Sequence, residues 1–278
     1  MEILRYAAFT DRPDGGNPAG VVLGADALTS GQMQGIAADL GYAESAFLSR
    51  RGPGSATVRY FAPAAEIPFC GHATIATGVA LAERDGPGTL ALSTPVGVLA
   101  LTTARVDGRL VASLETVEPW VDTVDPGRRA ELLRHLRLGE DDLSADLPVL
   151  LSFAGNVHPI VPVRDAGVLR ALDYDYDGLR TLMAAEGWGA TVAVVHRLAP
   201  DVFEARNPFP PGGVREDPAT GSAAASLGAY LRARGDVVTP GTLTVHQGAD
   251  VGRPSLITVG IPETGGLTVS GGAVRIAE

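Results

Sequence analysis

Residues Cys70–Arg84 read CGHATIATGVALAER, and residues Thr220–Arg234 read TGSAAASLGAYLRAR. The two segments align without a gap at an offset of 150 positions. Both are rich in alanine and glycine, so a helix formed by either one is apolar around nearly its whole circumference and should be buried. The sequence therefore predicts two central helices, near 72–84 and near 221–234.

The sequence around these helices repeats as well. The alignment pairs Gly78 with Gly228, and the tetrapeptide Pro-Gly-Thr-Leu follows each helix. Strand-like runs precede both helices, at Thr57–Phe61 and Val202–Arg206. Short alanine-rich helices also align by chance, but several matched positions at one offset, with a second shared motif, favour a duplication.

The duplication predicts an α+β fold of two pseudo-symmetric lobes, each a curled, barrel-like β-sheet around a central helix. We expect an N-terminal lobe over residues 1–118 and a C-terminal lobe over residues 119–278. Turns at Asp107-Gly108 and at 264–266 should join strands within the lobes.

Three further helices are predicted from apolar spacing. Two cover Asp165–Leu172 and Tyr176–Glu186. A third helix is capped by Thr29 or Ser30, and its apolar residues, which end at Leu40, form one face that packs in the core.

Composition excludes several classes of function. The chain has 278 residues and a net charge of −10, and its 22 basic residues are scattered arginines, so no nucleic-acid surface is expected. The longest charge-free apolar stretch, Ile67–Ala82, is too short to span a bilayer, and no signal peptide is evident, so we expect a cytoplasmic protein that does not enter membranes. A single cysteine precludes an intrachain disulfide.

Cofactor chemistry is also disfavoured. The five histidines form no metal-binding pair, and no second cysteine is present, so no metal is expected. Without lysine the chain can form neither a Walker-type phosphate loop nor a Schiff base. We therefore expect no cofactor.

Both central helices begin at a glycine, Gly71 or Gly221. Helix N-termini carry free N–H groups and bind anions, so a small carboxylate is a fitting ligand if the lobes bring the two helix starts together. The alternative is that both glycines serve only tight turns.

Three polar residues are candidates for catalysis. Glu44 follows the predicted helix that ends at Leu40, and His72 and Asp217 lie near the starts of the central helices. Glu44 shares a predicted strand face with Ala46 and Leu48. A carboxylate on an apolar face has a raised pKa, which suits a general acid/base, although a strand-end glutamate pointing to water is the commoner case. His72 and Asp217 flank the helix starts, where simple capping roles remain open.

The chain resembles the PhzF-like family of phenazine biosynthesis, which shares the diaminopimelate-epimerase fold. The likeness covers nearly the whole chain and includes the segments 16–23 (GNPAGVVL), 33–47, 64–74 (AAEIPFCGHAT) and 216–223 (EDPATGSA). It implies a homodimer with the active site between the lobes.

The resemblance also implies roles for individual residues. Glu44 would shuttle a proton, with His72 and Asp217 as polar partners. The ligand-holding positions that it implies are Gly71, Gly221, Ser222, Asn17 and Cys70.

The function implied is that of a cofactor-independent isomerase acting on a small anionic metabolite, as in the isomerisation of trans-2,3-dihydro-3-hydroxyanthranilate. Two-thiol racemases of this fold are excluded, because the repeat partner of Cys70 is Thr220. A single-thiol dehydratase or epimerase using Cys70 remains an alternative, and so does a non-catalytic metabolite-binding module.

Overall fold

The computed structural model describes residues 1–52 and 54–277, and within them the chain forms sixteen β-strands and six α-helices. The strands are β1 (Glu2–Ala8), β2 (Asn17–Leu23), β3 (Glu44–Gly52), β4 (Ser55–Phe61), β5 (Glu66–Ile67), β6 (Thr89–Thr94), β7 (Gly97–Val106), β8 (Arg109–Glu115), β9 (Trp120–Thr123), β10 (Leu150–Phe153), β11 (Val157–Pro162), β12 (Ala193–Ala199), β13 (Val202–Arg206), β14 (Gly241–Gln247), β15 (Ser255–Ile261) and β16 (Thr268–Arg275). The helices are α1 (Ser30–Leu40), α2 (Gly71–Asp85), α3 (Pro126–Leu136), α4 (Ala166–Arg170), α5 (Tyr176–Glu186) and α6 (Gly221–Arg234).

The chain divides into two compact units. The first consists of Met1–Glu115 together with Ser270–Glu278, and the second of Thr116–Val269. The first break lies within three residues of the boundary expected after residue 118. The expected C-terminal lobe, in contrast, included 270–278, which the structure assigns to the first unit because β16 pairs with β1.

The sheet of the first unit is a closed barrel. Its strand order is β1-β2-β3-β4-β6-β7-β8-β16, and pairing between β16 and β1 closes it. The short strand β5 pairs with β4 outside this path. The predicted turn at Asp107-Gly108 is confirmed as the two-residue turn of the β7–β8 hairpin, with both residues at positive φ.

Helix α2 is the buried centre of the first unit. Its residues from His72 to Ala82 are all buried, as its composition predicts. Gly78 is required by close packing, since a Cβ there would lie 2.9 Å from the Cβ of Ala112 and 3.1 Å from Leu101 Cδ2. The small residues of the helix therefore allow the strands to approach it closely.

The second unit repeats this relationship between a helix and a sheet. Its strands run in the order β15-β14-β13-β12-β11-β10-β9, and α6 packs on β15, β10 and β11. Gly228 of α6 is again a contact position, because a Cβ there would lie 2.8 Å from Leu267 Cδ2. The matched glycines of the sequence repeat thus have the same packing role, and the predicted α+β fold with sheets around central helices is confirmed.

A separate apolar layer completes the second unit. Side chains of α3 and α5 pack together, with Leu132, Leu179 and Met183 fully or almost fully buried. Helix α5 was predicted at the observed bounds, whereas the helix predicted over Asp165–Leu172 is limited to the five residues of α4. Helix α3 was not predicted, although an Asp N-cap followed by proline at its first position is a helix-start signal.

Helix α1 begins as expected. Thr29 is its N-cap and forms a capping box with Gln32. No helix in the described part of the chain combines the length and the apolar character needed to cross a membrane.

Candidate active site

Glu44 is the first residue of β3. Helix α1 ends at Leu40, and Gly41 in the left-handed conformation (φ 68°) turns the chain into this strand. There Glu44 pairs in parallel register with Ala19 of β2. Its side chain is 19% exposed, while the next residue on the same face, Ala46, is fully buried. The carboxylate therefore stands at the polar edge of an apolar strand face, as the alternation predicts.

His72 lies beside Glu44 on the first turn of α2. The His72 Nε2 atom is 3.4 Å from Glu44 Oε2, and the histidine side chain is 8% exposed. Burial lowers the pKa of His72 to about 4, and the backbone carbonyl of Pro18, which accepts a hydrogen bond from the ring, opposes this shift only in part. His72 is therefore neutral at pH 7, with one N–H and one nitrogen lone pair.

Cys70 is the N-cap residue of α2, and its thiol is buried. Its Sγ atom lies 3.4 Å from Nδ1 of His72. One ligand atom each from Glu44, Cys70 and His72 lies within 4.8 Å of the others. Such a set can move a proton, and its three ligand types can also bind a divalent cation. A metal site was not expected from the sequence, because only the fold brings these three residues together.

Two further predicted positions adjoin this cluster. Gly71 is the first residue of α2, and the N-cap side chain does not bond to the helix. A Cβ at Gly71 would meet only Phe69, at 3.9 Å, so protein packing does not demand glycine there. Asn17 is buried at the start of β2 and directly precedes Pro18, whose carbonyl contacts His72.

In the second unit, Asp217 lies in a turn that leads into α6. Thr220, the N-cap residue, donates from Oγ1 to Asp217 Oδ2 at 2.5 Å. Gln247 holds the turn from β14: its Nε2 donates to the carbonyl of Asp217 at 2.6 Å, and its Oε1 accepts from the backbone N–H of Thr220 at 3.0 Å. Gln247 was not predicted from the sequence, because no local motif connects it to a turn 27 residues away.

Ser222 is the second residue of α6, after the buried Gly221. Its Oγ lies 3.0 Å from Nε2 of His158, a fully buried histidine of β11. No role was predicted for His158 from the sequence.

The residue before Asp217 has a structural role. Glu216 and Arg206 form a buried ion pair, and Arg206 also donates to the carbonyls of Leu169 and Arg170 at 3.1 and 3.0 Å. The pair fixes the segment between β13 and α6.

The predicted site residues thus form two sets. Glu44, His72 and Cys70 cluster in the first unit, with Gly71 and Asn17 adjoining them. The other set, in the second unit, consists of Asp217, Gly221 and Ser222, all at the start of α6.

The family model for phenazine biosynthesis-like proteins (PhzC-PhzF) matches residues 6–278. The chain belongs to the PhzF family. A solved PhzF-family protein of Bacillus anthracis matches the structure with a TM-score of 0.88 at 28% identity, covering 100% of this chain and 98% of that one.

Relatives of this PhzF-family chain are named isomerases. One, an uncharacterized isomerase of Bacillus subtilis, is 32% identical over 272 residues, or 95% of this chain and 92% of that protein. The trans-2,3-dihydro-3-hydroxyanthranilate isomerase of Pseudomonas fluorescens is 32% identical over 260 residues, or 90% of this chain and 86% of that protein. The resemblance found in the sequence is confirmed, and the chain is an isomerase of the PhzF family.

Proposed function

We propose that this isomerase moves a proton between two carbon atoms of a small carboxylate metabolite without a cofactor, with Glu44 as general acid/base. The observation that carries the proposal is the pairing of Glu44 Oε2 with the buried His72 Nε2 at 3.4 Å. A partly buried carboxylate beside a neutral imidazole is a suitable group for abstracting and returning a proton.

The proposed reaction has two balanced steps. Glu44 first takes a proton from a carbon atom of the substrate, so a C–H bond breaks and a carboxyl O–H bond forms. The electron pair left behind is delocalised over the conjugated substrate. Glu44 then returns the proton to a second carbon atom, which regenerates the carboxylate and shifts the double bond. Neither step requires an external oxidant, reductant or cofactor.

His72 supports the proton on Glu44. Because the imidazole is neutral at pH 7, its single N–H donates to one group, and its lone pair can accept a hydrogen bond from another. A distance of 3.4 Å is longer than an ordinary hydrogen bond, but such contacts often shorten when a substrate binds. The carbonyl of Pro18 accepts that N–H, so the lone pair of His72 is left to accept a hydrogen bond from Glu44 once Glu44 has taken the substrate proton.

The second unit supplies ligand-binding groups in this proposal. We propose that Asp217 and Ser222 contact the substrate in the same reaction. The backbone N–H groups at Gly71 and Gly221 would bind the anionic group of the substrate. Support comes from the first turns of α2 and α6, whose N-cap side chains make no capping bond to the helix. The small anionic ligand and a homodimeric assembly are parts of this proposal that rest on the family resemblance.

The proposed substrate is supported by a relative with a named activity. The protein of Pseudomonas fluorescens is named for the isomerisation of trans-2,3-dihydro-3-hydroxyanthranilate, a conjugated carboxylate of the required kind. We propose this compound or a close analogue as the substrate.

A second candidate is thiol chemistry at Cys70. The observation that favours it is the contact between Cys70 Sγ and His72 Nδ1 at 3.4 Å, since an adjacent histidine can activate a thiol. A single-thiol dehydratase or epimerase would use the same cluster with sulfur as the base.

Proton NMR in D₂O with trans-2,3-dihydro-3-hydroxyanthranilate tests both candidates. Wild-type protein should isomerise the compound and place deuterium on carbon. The variants are Glu44→Gln and Cys70→Ala, and Glu115→Gln at an exposed strand end is the matched control.

Loss of turnover in Glu44→Gln, with turnover kept in Cys70→Ala and Glu115→Gln, supports the carboxylate mechanism. Loss only in Cys70→Ala overturns it in favour of the thiol. Sedimentation velocity of the purified protein tests the dimer, and a monomer at micromolar concentration contradicts that part.

A further inference from the structure

His158 is a buried histidine that the proposed reaction does not use. It lies on β11 and is completely inaccessible to solvent. Its Nδ1 atom is 2.9 Å from the carbonyl oxygen of Thr191, and its Nε2 atom is 3.0 Å from Oγ of Ser222. Both ring nitrogens are therefore engaged, one with backbone and one with a proposed ligand-binding residue.

The chemistry of these partners fixes the proton on the ring. A carbonyl oxygen can only accept, so Nδ1 of His158 must carry the hydrogen that it donates to Thr191. Burial lowers the pKa of His158 to about 4, so the ring is neutral at pH 7 and Nε2 has no hydrogen. The hydroxyl of Ser222 must then donate its only hydrogen to Nε2.

Neighbouring side chains hold this arrangement in place. Asn207, also fully buried, donates from Nδ2 to Oγ1 of Thr191 at 2.9 Å. The same Thr191 Oγ1 lies 3.1 Å from Nδ1 of His158, so backbone and side chain of Thr191 both face the N–H of the ring. A rotation of the imidazole would break its contacts with Thr191 and Ser222.

The Oγ atom of Ser222 consequently has only lone pairs left to offer a ligand. Among the described residues, His158 is the only hydrogen-bond partner of its hydroxyl, and Ser222 remains partly accessible. A ligand group that approaches Oγ must bring its own hydrogen, since an acceptor would face a lone pair. A carbonyl or ether oxygen placed there would lose its hydration and gain no bond.

We propose that His158 is a positioning residue that makes Ser222 Oγ an obligate hydrogen-bond acceptor, so that Ser222 selects substrates with an O–H or N–H group at that point. The inference rests on the proposed function for the placement of the substrate at Ser222. It defines the substrate class further, as a carboxylate that also carries a hydroxyl or amino donor. His158 itself contacts no reacting atom in this scheme.

Two substitutions of His158 separate positioning from packing. In His158→Gln, the side-chain amide reaches the position of Nε2, where its oxygen can still accept from Ser222. In His158→Asn, the shorter amide reaches the position of Nδ1, where it can still donate to Thr191 but leaves the Ser222 hydroxyl free to donate elsewhere. Ser222→Ala removes the selecting oxygen altogether.

The first measurement needs no ligand. A long-range ¹H–¹⁵N correlation spectrum at pH 7 should show His158 as the neutral form with hydrogen on Nδ1, assigned by its loss in His158→Gln. A hydrogen on Nε2, or a doubly protonated ring, overturns the proposal whatever the enzyme's substrate proves to be.

The second measurement uses 3-hydroxyanthranilate, which carries a hydroxyl and an amino donor, and 2,3-dimethoxybenzoate, a benzoate of the same substitution pattern with neither donor, in calorimetric titrations. Wild-type protein and His158→Gln should favour the hydroxyl compound by about tenfold, the value of one hydrogen bond. His158→Asn and Ser222→Ala should lose most of that preference. Equal preference in all four proteins overturns the selection by Ser222.

Failure of this inference can be told apart from failure of the proposed function. If wild-type protein binds neither probe, the proposed substrate class is wrong, while the NMR spectrum still decides the state of His158. If turnover survives in Glu44→Gln and the probe preference is as expected, only the proposed proton transfer is wrong.

Discussion

The Nε2 atom of His72 lies 3.4 Å from the Oε2 atom of Glu44, although the two residues belong to a helix and a strand separated by 28 positions. The histidine is the more buried of the two, so its ring stays neutral and cannot form a salt bridge with the carboxylate at pH 7. The contact is therefore suited to proton exchange and not to permanent charge pairing.

Removing or moving the Glu44 carboxylate should affect the reaction more than the fold. Glu44→Gln removes the basic oxygen and should lower kcat by about 10²–10⁴-fold, the usual contribution of a general acid/base. Glu44→Asp keeps the charge but withdraws it by one methylene, so we expect an intermediate loss. Deuterium incorporation measured by NMR checks both, and thermal unfolding of each variant checks that the fold persists. An unchanged kcat in Glu44→Gln contradicts the assignment.

The two neutral buried histidines predict how stability depends on pH. Burial lowers the pKa of His72 and His158 to about 4, below the 6.5 of an exposed histidine. Between these values the unfolded chain binds more protons, so the free energy of unfolding falls as the pH falls from 6.5 towards 4. At pH 5 each histidine should account for a loss of about 2 kcal/mol relative to pH 7.

Urea unfolding at pH 7, 6 and 5 measures this dependence. His72→Gln and His158→Gln should each reduce the slope over this range, and the double variant should reduce it further. If the dependence of the free energy of unfolding on pH is unchanged in the double variant, groups other than these two histidines determine it.

Two glycines of α2 should respond differently to the same substitution. Gly78→Ala places a methyl group 2.9 Å from the Cβ of Ala112, so overpacking should outweigh the better helix propensity and lower the free energy of unfolding by about 1 kcal/mol. Gly71→Ala has room, with Phe69 at 3.9 Å, and should leave stability nearly unchanged.

If the backbone at Gly71 contacts the substrate, Gly71→Ala should nevertheless lower kcat/KM by tenfold or more, an effect of about 1.4 kcal/mol. Chemical unfolding and steady-state kinetics of both variants provide the comparison. Full activity in Gly71→Ala would remove this glycine from the ligand site.

The buried pair of Arg206 and Glu216 should behave as a unit. Glu216→Ala leaves the Arg206 charge buried and unpaired, so we expect a loss of about 3 kcal/mol in the free energy of unfolding. The double variant Arg206→Met/Glu216→Leu removes both charges and should be less destabilised than Glu216→Ala alone. Urea denaturation of the wild-type protein and both variants makes the comparison, and a double variant as destabilised as Glu216→Ala would argue against this behaviour.

Local patterns were sufficient to predict the central helices. The bounds of α6 and α5 follow from composition and spacing, and the burial of α2 follows from its lack of a polar face. Glu44, His72 and Cys70 were also found from the sequence, but their mutual distances depend on how β3 and α2 pack.

Long-range relationships could not be predicted in the same way. His158 and Ser222 are 64 positions apart, and Gln247 reaches a turn on another element. No periodicity records such contacts, because hydrogen bonds between elements depend on register and packing. The return of β16 to the first unit is of the same kind, since only its pairing with β1 reveals it.

The return of β16 has a consequence for biosynthesis. Because the barrel of the first unit closes only when Ser270 and the residues after it pair with β1, the nascent chain emerges from the ribosome with that barrel incomplete until all of Thr116–Val269 has been translated. During that interval β1 and β8 lack their shared neighbour, and exposed strand edges invite pairing with other chains. Chaperone dependence should therefore be concentrated in this interval, and a fragment ending at Glu115 should aggregate when expressed alone.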